Sequence, residues 1–285
     1  MSTLDKKIDF TVFFTVRNAN PNGDPLMDNM PRTDYEGYGE VSDVCIKRKI
    51  RNRLQEMGND IFVQSQDRIQ DGHKSLEARF DAEFNRNDGD EEVAKRACMK
   101  WIDVRSFGQV ITYQKRSLGI RGPVSISLAK SLSEVEAISM QITRSTNGME
   151  AEEGKSRSKD TMGLKNYIDF GVYKFTGSIN CYFAEKTGFT DEDAEQIKEA
   201  LRTLFINDMS SARPEGSMEV KKIFWFTHPN KLGVASSAKI NSIVKNILPD
   251  KQKITSYEEY SIGIDKEKYE EYKKAGLIIE ELEGI

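Results

Sequence analysis

Side chains that usually carry nucleophilic or metal chemistry are scarce, with two histidines and three cysteines in 285 residues. His228 precedes Pro229 at the end of an apolar run, and His73 stands in a charged stretch. Neither shares a local motif with Ser, Cys or Asp that would pair a nucleophile with its base. Cys45, Cys98 and Cys181 are far apart with no CxxC spacing, which argues against a zinc site and a structural disulfide. Asp24, Asp28, Asp34 and Asp43 match no calcium loop, and turn-forming Asp explains them. Gly119-Ile120-Arg121-Gly122-Pro123 lacks the lysine and spacing of a P-loop. The expectation is therefore no catalytic residue, no metal and no cofactor.

Phosphate recognition is better supplied. Arg17-Asn18-Ala19-Asn20-Pro21-Asn22-Gly23-Asp24-Pro25 leaves a strand, runs on through Asn29-Met30-Pro31-Arg32, and feeds a helix with five cations from Lys47 to Arg53. Asn, Gly and Pro in such a loop expose amides and backbone N–H groups, and the helix adds positive charge. Ser42 is the expected N-cap, with Asp43 in the first turn. At helical spacing Ile46, Ile50, Leu54 and Met57 form one stripe for the core. Lys47, Arg48 and Arg51 share a different face, while Lys49 and Arg53 flank the stripe. A plainly solvated helix face is the alternative reading of those charges.

The elements that must position this loop and helix follow from periodicity. Ile8, Phe10, Val12, Phe14 and Val16 alternate with Asp9, Thr11, Phe13 and Thr15, the pattern of a half-buried strand. Phe13, on the polar face, is open to two readings: a base-stacking platform or a cross-strand packing partner. Residues 58–100 are charged and helix-leaning, an insertion between core elements. A second strand is expected over Ile120–Leu128, a third over Phe170–Phe183, and a fourth over Met218–Thr227. Thr190 opens a helix whose stripe is Ala194, Ile197, Ala200, Leu201, Leu204 and Phe205. Residues 142–167 are polar and glycine-punctuated, a projecting hairpin in which Met149 and Met162 are available as wedges between bases. The order β-α-β, β-α-β is that of an α+β, ferredoxin-like core, one domain over 1–285.

A net charge of −4 does not exclude a nucleic-acid partner, because residues 250–285 carry ten acids and six lysines. The remainder sums to zero and leaves its basic patches intact. No apolar run reaches membrane-spanning length and the N-terminus has no apolar signal core, so no membrane and a cytoplasmic location are expected.

Four further segments join the loop and helix: Asp103-Val104-Arg105-Ser106-Phe107-Gly108, Ile120-Arg121-Gly122-Pro123-Val124, Asp169-Phe170-Gly171-Val172-Tyr173 and Ser210-Ser211-Ala212-Arg213-Pro214-Glu215-Gly216-Ser217-Met218. Together, and in this order, they resemble the backbone subunit of type I CRISPR Cascade complexes, most closely the type I-C branch. The resemblance implies an RRM-like core with inserted finger and thumb segments. It also implies a filament of copies along one CRISPR RNA, gripped without sequence preference, whose thumb flips out a nucleotide at intervals so that the other bases pair with target DNA. Other Cascade subunits would be partners. On this resemblance the RNA-binding residues would be Arg17, Asn18, Asn20 and Asn22 of the loop, Lys47, Arg48 and Arg51 of the helix, and Arg105 and Arg121 at strand edges, the last two equally suited to structural ion pairs. Arg144, Lys159 and Met162 would serve in the thumb, with Met162 or Leu164 as wedge. The acidic tail would serve filament contacts or solubility. The alternative is a metal-dependent RNA endonuclease like type III backbone subunits, using Asp160, the one aspartate between Thr143 and Gly163.

Overall fold

In a computed structural model of the protein, the described residues are 2–143, 162–250 and 253–285. The first strand, β1 (Ile8–Ala19), is rich in aromatic and β-branched residues and leads into two short strands, β2 (Gly23–Asp24) and β3 (Met30–Pro31), and then β4 (Tyr38–Val41). Helix α1 (Asp43–Glu56) starts where expected: the Ser42 hydroxyl accepts from the Cys45 N–H, and Ile46, Ile50 and Leu54 are buried. Helices α2 (Leu76–Asp81), α3 (Asp90–Lys100) and α4 (Ile102–Phe107) follow, then the hairpin β5 (Gly108–Ile111) and β6 (Leu118–Arg121). Next come β7 (Val124–Ile126), β8 (Ala129–Glu134), β9 (Ala137–Thr143) and the long β10 (Met162–Ile179). Helices α5 (Cys181–Thr187) and α6 (Asp191–Arg202) precede β11 (Met218–Thr227). The C-terminal part adds α7 (Ser237–Asn241), β12 (Val244–Ile247), β13 (Ser261–Ile264), α8 (Lys266–Lys274) and β14 (Ile278–Leu282).

The main sheet runs β14-β11-β1-β10-β8-β4, with β7 and β9 also on β10, and every pairing is antiparallel. In β11-β1-β10-β8 the fourth, first, third and second strands of a βαββαβ unit stand side by side, the split ferredoxin-like arrangement. Its helices α1 and α6 lie together on one face, over Phe10, Val12, Phe14, Phe175 and Trp225. Phe14 stacks on Tyr173 at 5.2 Å, and Phe10 on Trp225 at 5.4 Å. The Thr190–Asp193 capping box opens α6, so the start expected from Thr190 holds.

Three expectations change. β1 is buried on both faces rather than half-buried, because Ile240, Ile243, Val244, Tyr260 and Leu277 cover the second face. Phe13 is therefore fully buried, edge-on to Phe224 at 6.2 Å, and is the packing partner rather than the platform. The strand expected over Ile120–Leu128 splits at Gly122-Pro123: β6 pairs with β5, whereas β7 pairs with β10. The strand expected over Phe170–Phe183 starts at Met162 and stops at Ile179, where the Asn180 side chain accepts from the N–H groups of Tyr182 and Phe183 to cap α5.

A third cluster forms around Phe62, Phe80, Phe84, Val93, Ala97 and Trp101, so the helical stretch after α1 has its own core. The acidic C-terminal segment is folded onto the body. β14 extends the sheet from β11, Glu281 pairs with Lys222 at 2.9 Å, and Glu280 pairs with Lys198 at 3.1 Å.

Candidate nucleic-acid interface

The loop after β1 is held by its own polar groups. Asn20 is buried, and its Nδ2 donates to the Asn29 carbonyl at 2.6 Å. Asn22 Oδ1 accepts from the Ser42 N–H at 2.9 Å, which ties the loop to the N-terminus of α1. Asn18 is exposed and left-handed at φ 50°, a conformation Asn tolerates better than most residues. The loop from Ser210 to Ser217 braces the same place: the Asn20 N–H donates to the Ala212 carbonyl, the Arg17 N–H to the Ser217 carbonyl, and Arg213 Nη1 to the Asn20 carbonyl.

The expected cations divide into two groups. Arg51 Nε donates to Asp103 at 3.0 Å, and Asp103, fully buried, also accepts from the N–H groups of Phe62 and Val63. Arg105 makes a two-point pair with Asp193, at 2.8 and 2.9 Å. These two guanidinium groups bind internal carboxylates, the structural alternative anticipated for Arg105. Arg17 and Arg48 are exposed, and Lys47 is half-buried. Arg17 donates to the Thr255 carbonyl and lies over the Phe170 ring at 4.8 Å. Lys47 pairs with Asp43 one helical turn away at 2.9 Å, and Arg48 reaches Asp67 at 3.5 Å. Those pairs are loose enough for a polyanion to displace. Arg121, also exposed, sits 4.2 Å over the Phe183 ring of α5.

Lys49 flanks the apolar stripe as expected, yet it is buried and paired with Asp208, which Arg213 also approaches at 3.6 Å. Burial holds its pKa below the ordinary lysine value despite that carboxylate. No role follows for Arg213 or Asp208 from sequence, because both act across more than 150 residues; the only signal is that Arg213 lies within one of the shared segments.

Arg144, Lys159 and Asp160 lie outside the described residues. Met162 and Leu164 lie on the described arm of the hairpin, 63% and 58% exposed, and Met162 pairs with Thr143 of β9. Positions 162 and 164 fall on one hairpin face, since strand side chains alternate.

Among the described residues, the two histidines form no nucleophile–base pair. His228 and Asp9 are both buried, with Nε2 donating to Asp9 Oδ2 at 2.8 Å while Nδ1 accepts from the Val234 N–H. This pair ties the end of β11 to β1. Among the described residues no three His, Cys, Asp or Glu side chains are grouped to hold a metal, and no helix is long and apolar enough to cross a membrane.

Comparison with known proteins adds four matches. The sequence model of the CRISPR-associated protein Cas7 family matches residues 6–265. A CRISPR-associated protein Cas7 of Haloferax volcanii is 28% identical over 219 residues, 69% of this chain and 63% of that protein, so the chain spans less than two thirds of its relative's length. Among solved structures, a chain of a "CRISPR RNA-guided surveillance complex, pre-nicking" superposes with a TM-score of 0.50 at 15% identity, covering 77% of this chain and 78% of that one. A chain of another CRISPR RNA-guided surveillance complex gives 0.48 at 13% identity, covering 96% and 88%.

Proposed function

The chain belongs to the CRISPR-associated protein Cas7 family, and on that premise we propose that it is a non-catalytic CRISPR RNA-binding backbone subunit of a type I Cascade surveillance complex, of the type I-C branch. It grips the phosphate backbone without reading sequence and adds copies head to tail along the guide. The unflipped bases are left to pair with target DNA, and the filament meets other Cascade subunits in the cytoplasm.

One observation carries the reading. Arg17 stands just before the loop in β1, Lys47 and Arg48 follow it in the first turns of α1, and the loop between them is fixed from both sides, by Ser42 at the start of α1 and by the 210–217 loop. Such a surface contacts phosphates and offers little that would read base edges. Asn18 and Asn22 frame it, and Asn20 braces the loop from within. The hairpin of β9 and β10 is the thumb of this reading, and Met162 and Leu164, adjacent on one face, are its wedge candidates. The stretch around α2 and α3 is the finger. No observation favours the endonuclease.

Mobility shifts with two unrelated RNAs of equal length test this at low and physiological salt. Charge reversal at Lys47 and Arg48 together should weaken both RNAs equally and flatten the salt dependence by about two units of log K per log salt. A loss confined to one RNA would contradict backbone recognition.

A further inference from the structure

Among the described residues, every buried or half-buried lysine and arginine has a carboxylate within 4.0 Å, with one exception. The exception is Lys174 on β10. It is half-buried, it has no ion pair or hydrogen bond, and its amine lies 5.7 Å from the centre of the buried Phe13 ring. Burial alone moves its pKa, downward, with no carboxylate to offset the loss of water.

The strand register makes the position more unfavourable. Lys130 of β8 stands directly opposite Lys174, and like charges so placed destabilise an antiparallel pair. Lys130 is neutralised by Asp34 at 2.5 Å; Lys174 is not. Along β10, Thr176 and Ser178 share the sheet face of Lys174, opposite exposed Ser127 and Ser125. Arg17 lies on the same face, four residues along β1 from Phe13, a separation of about 13 Å at strand spacing.

A desolvated ammonium without a counter-ion costs stability, and an anion arriving from outside removes that cost. We propose that Lys174 anchors a second phosphate-binding position, on the sheet face opposite α1 and α6, for a nucleic-acid strand. A phosphate, rather than a partner's carboxylate, suits a lysine bordered by hydroxyl groups on the face that also carries Arg17. The inference rests on the nucleic-acid reading above. The phosphate belongs either to the guide or to the paired target strand.

The test compares wild type, Lys174→Met, Lys174→Arg and Arg48→Ala, each binding a single-stranded RNA and the same RNA paired with complementary DNA over a salt series, with thermal melting of the free proteins alongside. Lys174→Met should bind several-fold more weakly whatever the sequence, lose about one unit of salt slope, and melt no lower than wild type. Lys174→Arg should restore binding. Loss with RNA alone assigns a guide phosphate, and loss only with the hybrid assigns a target phosphate; both support the site. Unchanged binding by Lys174→Met, while Arg48→Ala is weakened, overturns this inference alone. A lower melting temperature in proportion to the binding loss overturns it in favour of a structural role. Weaker association between copies, with binding per copy intact, overturns it in favour of a partner carboxylate. Failure of the wild type to bind any strand overturns the nucleic-acid reading and this site with it.

Discussion

Arg48 and Arg51 are three residues apart on one helix, yet they do different work. Arg51 closes a network in which fully buried Asp103 accepts from two backbone N–H groups and one guanidinium, while Arg48 faces solvent beside Asp67. Replacing Asp103 with Ala leaves Arg51 and two N–H groups without their acceptor, and unfolding in urea should show a loss of about 3–5 kcal/mol. Arg48→Ala should stay within about 0.5 kcal/mol of wild type in the same assay while reducing the salt slope of RNA binding by about one. Sequence periodicity puts both arginines on one face and cannot separate them, because Asp103 is 52 residues away in the chain. Lys49 and Asp208, 159 residues apart, illustrate the same limit. The caps Ser42 and Thr190 were legible because their partners lie within three residues.

At the scale of elements, strands whose neighbours bury them evenly read well: β11 spans the expected Met218–Thr227. Boundaries shift where one residue redirects the chain, as Gly122-Pro123 does between β6 and β7 and Asn180 does at the end of β10. The helical stretch after α1 shows how a charged segment gains a core: Arg79, buried, donates to Asp71 and to the carbonyls of Phe62 and His73. The Arg79 guanidinium holds the Asp71 carboxyl down at about 2, against an ordinary 3.8. A folded-state pKa below the unfolded one stabilises above the unfolded value and is lost as pH falls through the folded one. Between about pH 4 and pH 2 the wild type should lose stability that Asp71→Asn has already lost at neutral pH. Melting temperatures of the two proteins should therefore converge on acidification; a constant gap would show that Asp71 contributes through its shape rather than its charge.

For the whole molecule, the face of the RRM-like sheet that could have offered aromatic residues to bases is largely covered. Phe13, Phe224 and Phe226 lie under the C-terminal segment, and β14 extends the sheet beyond β11. The acidic tail, to which the resemblance assigned solubility or filament contacts, is thus also a structural element, a role invisible without the register of β14. Removing residues 276–285 should strip buried Leu277 and the pairing along β11, lowering the melting temperature and promoting aggregation through the freed edge, as light scattering would register. With the aromatic residues of that face buried, recognition falls to cations, and the surface around Arg17, Lys47 and Arg48 is proposed to grip the RNA backbone. Native mass spectrometry of the protein with RNAs of increasing length and unrelated sequence tests it most directly. One more copy of the protein should bind with each fixed increment of length, whatever the sequence, and fewer copies at higher salt. A single copy bound at every length, or RNA shortened in the presence of Mg²⁺, would contradict it.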